Sequence, residues 1–214
     1  MTCPYCDPAK TKPGALIPTT SDQLYCQHCG RRLWPPEGSS DSKWDEYFHE
    51  ICRTVASKSP CLSRKIGAIL VRDKSIISTG YNGPPRRIPH CGSERCRSDK
   101  VLLDAAKRGS ISTCDEKWHN TCPRRLLGYK SSEGMEWCPA QHAEENAVSN
   151  AARIGASTIG TTLYLNSIVP CKNCFGTLIN AGIVEIVVES ITFYDSLTKF
   201  LYANSSIKIR EFEL

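Results

Sequence analysis

The sequence predicts an α/β domain with a partly parallel sheet, preceded by a small cysteine-stapled module. Three observations point there. From residue 161 onward, strand-like and helix-like apolar segments alternate, the pattern of strands joined by helical crossovers. Hydrophobic residues make up 40% of the 214, enough to bury a core and too many for a disordered chain. The first 36 residues carry Cys3-x-x-Cys6 and Cys26-x-x-Cys29, separated by 19 residues.

In chain order, Pro35 to Ser40 reads as a linker between residues 1–36 and a domain at 43–214. Asp41 or Ser42 can cap a helix from Trp44 to Lys58, where Trp44, Phe48, Ile51 and Val55 recur at helical spacing. Ile66–Val71 and Ser75–Gly80 are predicted as two strands around a turn at Asp73-Lys74. A polar, cysteine-bearing segment, Gly83 to Met135, follows. Then come a helix from Gln141 to Gly155, a strand at 161–166, a helix at 171–181 closed by Gly182, a strand at 183–188, a helix near 194–203 and a strand at 206–211.

Charge and cysteine usage narrow the function. A net charge of +5 suits a phosphorylated ligand but falls short of a dedicated nucleic-acid surface. No apolar run approaches the ~18 residues of a membrane helix. The opening MTCPYCDP has neither the basic nor the apolar region of a signal peptide, so the 13 cysteines predict a reducing cytoplasm in which thiolates bind metal.

The strongest motif is His142-Ala143-Glu144, followed 26 residues after the glutamate by Pro170-Cys171-Lys172-Asn173-Cys174. H-x-E…P-C-x-x-C is the signature of zinc nucleobase deaminases. A catalytic zinc takes three protein ligands and leaves a fourth position for water. Cys171 and Cys174 share one face of a helix start, where thiol pKa values fall. His142 supplies the third ligand. Glu144, two residues on, is the candidate proton carrier. A closed structural site using the same three ligands plus a fourth is the alternative.

With these motifs in hand, Cys61 to Leu214 resembles the deoxycytidylate deaminase family of the cytidine deaminase superfamily. The matching pieces are Cys61-Leu62-Ser63-Arg64-Lys65-Ile66-Gly67-Ala68, Ser78-Thr79-Gly80-Tyr81-Asn82-Gly83-Pro84, His142-Ala143-Glu144-Glu145-Asn146-Ala147, Thr162-Leu163-Tyr164, the zinc cysteines and Ile179-Asn180-Ala181-Gly182-Ile183. The resemblance implies a three-layer α/β/α fold on a five-stranded mixed sheet, and hydrolysis of dCMP to dUMP and ammonia. It implies that Asn82 contacts the nucleotide, where the bare residues read as an Asn-Gly turn. Lys65, Arg86 and Tyr194 complete the candidate substrate contacts, with Arg64 and Arg87 as further cations near the pocket motifs. It also implies a homo-oligomer, hexameric in the family, with dCTP and dTTP as effectors read through Arg153. One departure stands out: five residues, Leu165 to Val169, lie between Tyr164 and Pro170 where the family usually has four.

The remaining cysteines suggest more metal. Cys3, Cys6, Cys26 and Cys29 fit a zinc ribbon, which either caps the chain or, through Arg31, Arg32 and Trp34, meets a partner. By resemblance to bacterial and phage forms, Cys61, Cys91, Cys96 and Cys138 are expected to hold a second structural zinc, with His90, Cys114, His119 and Cys122 as rivals. That makes about three zincs per chain. The rival functions are a deaminase of tRNA or single-stranded DNA presented by the ribbon, one acting on 5-modified dCMP or dCTP, and a non-catalytic scaffold. An intact Glu144 argues against the scaffold.

Overall fold

The computed structural model describes residues 16–18, 24–26, 32–34, 42–109, 117–130 and 133–214. The chain divides into two units, Met1–Asp41 and Ser42–Leu214. In the first, β1 (Leu16–Pro18), β2 (Leu24–Cys26) and β3 (Arg32–Trp34) form an antiparallel sheet in the order β1-β2-β3. Cys3, Cys6, Cys29, Arg31 and Asp41 lie outside the described residues, as do the side chains of Cys26, Arg32, Trp34 and Ser42.

The second unit opens with α1 (Ser42–Ala56), then β4 (Gly67–Arg72) and β5 (Ser75–Tyr81). Asp73 and Lys74 between them both take positive φ, 50° and 60°, the primed turn whose twist suits a tight hairpin. After a long insertion come α6 (Ala143–Arg153), β6 (Thr162–Ile168), α7 (Lys172–Asn180), β7 (Glu185–Ser190), α8 (Ser196–Ala203) and β8 (Lys208–Glu211). The sheet runs β5-β4-β6-β7-β8, antiparallel through β6 and parallel beyond it.

Period-two alternation distributes the core. Ala68, Leu70, Leu163, Leu165, Ile186 and Val188 face the layer of α6, α7 and α8. Their sequence neighbours Ile69, Val71, Tyr164 and Val187 face Phe48 and Cys52 of α1. Three layers result. Two glycines let helices lie against the sheet: a Cβ at Gly67 would fall 2.2 Å from the Cys52 carbonyl oxygen, and one at Gly80 would fall 2.3 Å from both the Ala143 oxygen and the Ala147 nitrogen.

Gly155 and Gly182 end α6 and α7 in the left-handed conformation, at φ 72° and 74°. The segment between β5 and α6 is more ordered than its polarity suggests. It holds α2 (Ser93–Ser98), α3 (Lys100–Arg108), α4 (Lys117–Asn120), α5 (Pro123–Leu126) and a 3-10 turn at Met135–Trp137. Asp99 caps α3 by accepting from the Leu102 amide at 2.9 Å. Leu102 and Ala106 are fully buried, with Cys96, Leu126, Leu127 and Trp137 packed on them.

Candidate metal and active site

The edge strand β5 positions α6. The Ser78 hydroxyl donates to the Ala147 carbonyl at 2.7 Å, and the Asn146 and Asn150 amides donate to the Tyr81 and Thr79 carbonyls at 2.8 Å each. Gly83 and Gln141 exchange both backbone hydrogen bonds, which steers the chain into α6. His142 is the N-cap residue of α6 and Cys171 that of α7.

His142, Cys171 and Cys174 therefore meet. His142 Nδ1 lies 3.6 Å from Cys171 Sγ and 3.2 Å from Cys174 Sγ, and the two sulfurs are 3.7 Å apart. Tetrahedral zinc with ordinary bond lengths would set its ligands about 3.6 Å (N to S) and about 3.8 Å (S to S) apart, so the donors fit. Among the described residues no other three His, Cys, Asp or Glu side chains gather so closely. The protons are unevenly shared among the donors: the Cys171 contact, and then burial, push the Cys174 thiol up. Contact with Cys174, and with His142, outweighs burial and holds the Cys171 thiol down to about 4. The Cys171 contact pushes His142 up to about 9. Glu144 is 6% exposed, and burial raises its carboxyl above the usual range.

His142, Glu144 and Cys171 line a cavity of about 130 Å³, which Asn82, Tyr194, Arg64 and Arg124 also border. Asn82, 8% exposed, spends most of its amide on the chain: Oδ1 accepts from the Ile66 amide at 2.8 Å and the Ser59 hydroxyl at 2.7 Å, and Nδ2 donates to the Arg64 carbonyl at 2.9 Å. It is no hairpin turn; it staples the 64–66 wall in place. Tyr194, 44% exposed, sits at the cavity.

Several expected residues lie elsewhere. Lys65, Arg86 and Arg87 do not line the cavity, and Arg86 instead donates to Asn150 Oδ1 of α6 at 3.0 Å. Sequence proximity to a motif selected them. Arg153 is exposed in the last turn of α6.

Cys61, Cys91, Cys96 and Cys138 do not converge on one metal-binding point. Cys61 and Cys138 border the catalytic cavity, whereas Cys96 packs on the small core of Leu102 and Ala106. Cys91, its thiol raised mainly by burial, accepts from Arg95 Nη1 at 3.8 Å. Arg124 was invisible to the sequence reading, because its place depends on the insertion. There buried Arg95 donates to the Trp137 carbonyl at 2.6 Å and pairs with Asp99 at 2.8 Å.

The fifth residue of the 165–169 loop is absorbed as a β-bulge. Leu165 pairs with Val188 and Ile168 with Ser190, so β6 advances three residues where β7 advances two. Asn166 Oδ1 accepts from the Gly67 amide at 2.7 Å, and Ser167 to Val169 become cavity wall.

A three-donor metal centre at the starts of two helices, with a buried carboxylate beside it, is the architecture of a metal-dependent hydrolase. The family model for the cytidine and deoxycytidylate deaminase zinc-binding region matches residues 42–190, and the chain belongs to that family. The chain is 30% identical over 171 residues to the deoxycytidylate deaminase of Saccharomyces cerevisiae, covering 79% of this chain and 45% of that protein. It is 34% identical over 149 residues to that of Mycobacterium phage D29, covering 67% and 92%. The chain thus spans less than half the length of its yeast relatives, 45% and 44%. In fold it is similar to the dCMP deaminase of cyanophage S-TIM5 in complex with dCMP and dUMP, at a TM-score of 0.53 and 19% identity, covering 79% and 96%.

Proposed function

We propose that this protein hydrolytically deaminates dCMP to dUMP and ammonia. The observation that carries the reading is the meeting of His142, Cys171 and Cys174 at a cavity that buried Glu144 also lines. The deoxycytidylate deaminases among its relatives support the substrate. Bound at the three donors, zinc supplies a Lewis acid that makes water nucleophilic near neutral pH. Glu144 takes the proton that water gives up, places it on N3 of cytosine and then helps protonate the departing amine at C4. Its raised carboxyl pKa suits a group that must hold a proton between steps. Asn82 keeps the 64–66 wall in place, and Tyr194 closes one side of the sugar and base space.

One zinc at this site and one in a ribbon of Cys3, Cys6, Cys26 and Cys29 belong to this reading, within the expected count of about three per chain. Full-chain elemental analysis, with Cys3→Ser/Cys6→Ser and His142→Ala each removing one equivalent, tests that count. Oligomerisation, a cytoplasmic location and control by dCTP and dTTP through exposed Arg153 belong to the same reading. Among the described residues no helix is long and apolar enough to cross a membrane.

The test is ammonia release by the zinc-loaded chain from dCMP, dCTP, CMP, deoxycytidine and 5-methyl-dCMP. dCMP should give the highest kcat/KM. Release from tRNA or single-stranded DNA, with none from dCMP, overturns the proposal.

A further inference from the structure

Arg124 stands in the wall of the catalytic cavity with half of its guanidinium committed and half not. Nη1 donates to the Glu133 carbonyl at 2.7 Å and meets Met135 Sδ at 3.2 Å. Nε is buried and has no hydrogen-bond partner. Among the described residues Nη2 has no acceptor and no carboxylate pairs with the charge. Nε and Nη2 share the edge of the planar group that takes two oxygens of a carboxylate or phosphate side by side. A donor shut away from water without an acceptor is unfavourable, and a ligand oxygen is one remedy.

The cavity supplies the context. Its lining residues include Arg124 and a single carboxylate, Glu144, which belongs to the chemistry. An anionic ligand group is therefore favoured away from Glu144, and a neutral base beside it. The Glu133 and Met135 contacts hold Arg124 by its other end, and an anion reaches buried Nε once the wall over that edge shifts.

We propose that Arg124 reads the phosphomonoester of the substrate, its Nε/Nη2 edge donating to two phosphoryl oxygens, and so sets the preference for a nucleotide over a nucleoside. This rests on the reading of the site as a dCMP deaminase. The lysine and arginine nearest the sequence motifs, Lys65 and Arg86, do not line the cavity and leave this role open.

The experiment compares kcat/KM for dCMP and for deoxycytidine in zinc-loaded wild type, Arg124→Ala and Arg124→Lys. Where deoxycytidine turnover is too slow to follow, competitive inhibition by dUMP and deoxyuridine reads the same difference. Arg124→Ala should lower the dCMP value roughly 10- to 100-fold more than the nucleoside value. Arg124→Lys, which keeps the charge but not the fork, should fall between. A merely structural role, holding Glu133 and Met135, would lower both substrates in parallel, and that result overturns the proposal. Unchanged selectivity in both variants overturns it too. Wild-type protein that leaves dCMP untouched overturns the substrate assignment and this inference together, whereas failure of Arg124 alone leaves the former standing.

Discussion

Asp195 accepts a hydrogen bond from the backbone amide of Lys172 at 3.2 Å while capping α8 through the Thr198 amide at 2.7 Å. One carboxylate thus joins the helix that carries Cys171 and Cys174 to the helix that follows Tyr194. What little burial Asp195 has opposes its charge, but the amide hydrogen bonds prevail and hold the carboxyl below its usual range. For a depressed carboxyl, the stabilisation is present above the unfolded pKa and is lost as pH falls through the folded one. Asp195→Ala should therefore cost about 1 kcal/mol, the ordinary value of a lost cap, by a constant amount from pH 5 to 9. Below about pH 4 the gap to wild type should narrow. Thermal melts across pH check this. A gap that widens in acid would mean the carboxylate works against the fold.

Glu144→Gln keeps the shape and burial of the side chain and removes its ability to exchange protons. Turnover of dCMP should fall about 100- to 10,000-fold, with zinc content and Tm near wild type. Steady-state kinetics beside elemental analysis decide it. Retained activity at full zinc occupancy would move the proton transfers to another group.

Gly80 lies directly beneath α6, where an added Cβ would meet backbone atoms of Ala143 and Ala147. Gly80→Ala must push away the helix that presents His142 and Glu144. Overpacking of this kind costs about 1–3 kcal/mol, or roughly 3–10 °C in Tm at this chain length. Zinc occupancy and kcat should fall with it. Gly176 in α7 is the contrast, because a Cβ there meets nothing within 4 Å. Gly176→Ala should be neutral or slightly stabilising. Equal melting temperatures for the two variants would show that α6 is not pinned at Gly80.

The gathering of His142, Cys171 and Cys174 near Glu144 was legible because it is tied to short spacings: Cys171 and Cys174 on one helix start, Glu144 two residues from His142. Strand and helix order was legible because apolar periodicity and Gly155 and Gly182 mark it locally. Asn82 was legible as important but not in its role, since its partners Ser59 and Ile66 are remote in sequence. The candidate phosphate cations were chosen by adjacency to a motif, which does not fix side-chain direction: Arg86 turns to Asn150. The second structural zinc expected at Cys61, Cys91, Cys96 and Cys138 rested on cysteine counting and resemblance alone. Cysteine counting could not foresee that Cys96 would be taken up by the Leu102 and Ala106 core, whose helical spacing after the Asp99 cap was readable in principle.

Far from the cavity, Asp45 of α1 and Arg210 of β8 form a two-pronged ion pair that ties the helix layer to the sheet edge. Asp45 is 3% exposed. It accepts from Arg210 Nη2 at 2.9 Å, from Arg210 Nη1, and from the Glu213 amide at 3.0 Å. Burial works against the Arg210 charge, yet the facing carboxylate of Asp45 raises its pKa, so the guanidinium is charged throughout the usual pH range. Removing only the cation leaves a carboxylate shut away from water. Arg210→Met should therefore cost about 3–5 kcal/mol, and adding Asp45→Asn should recover part of it, because the stranded charge goes too. Urea unfolding of both single variants and the double variant measures the coupling. The zinc donors and Glu144 sit on other elements, so kcat per zinc-loaded molecule should stay near wild type in all three. A loss below about 1 kcal/mol for Arg210→Met would place the pair with exposed surface bridges, showing that water reaches Asp45 once the arginine is gone.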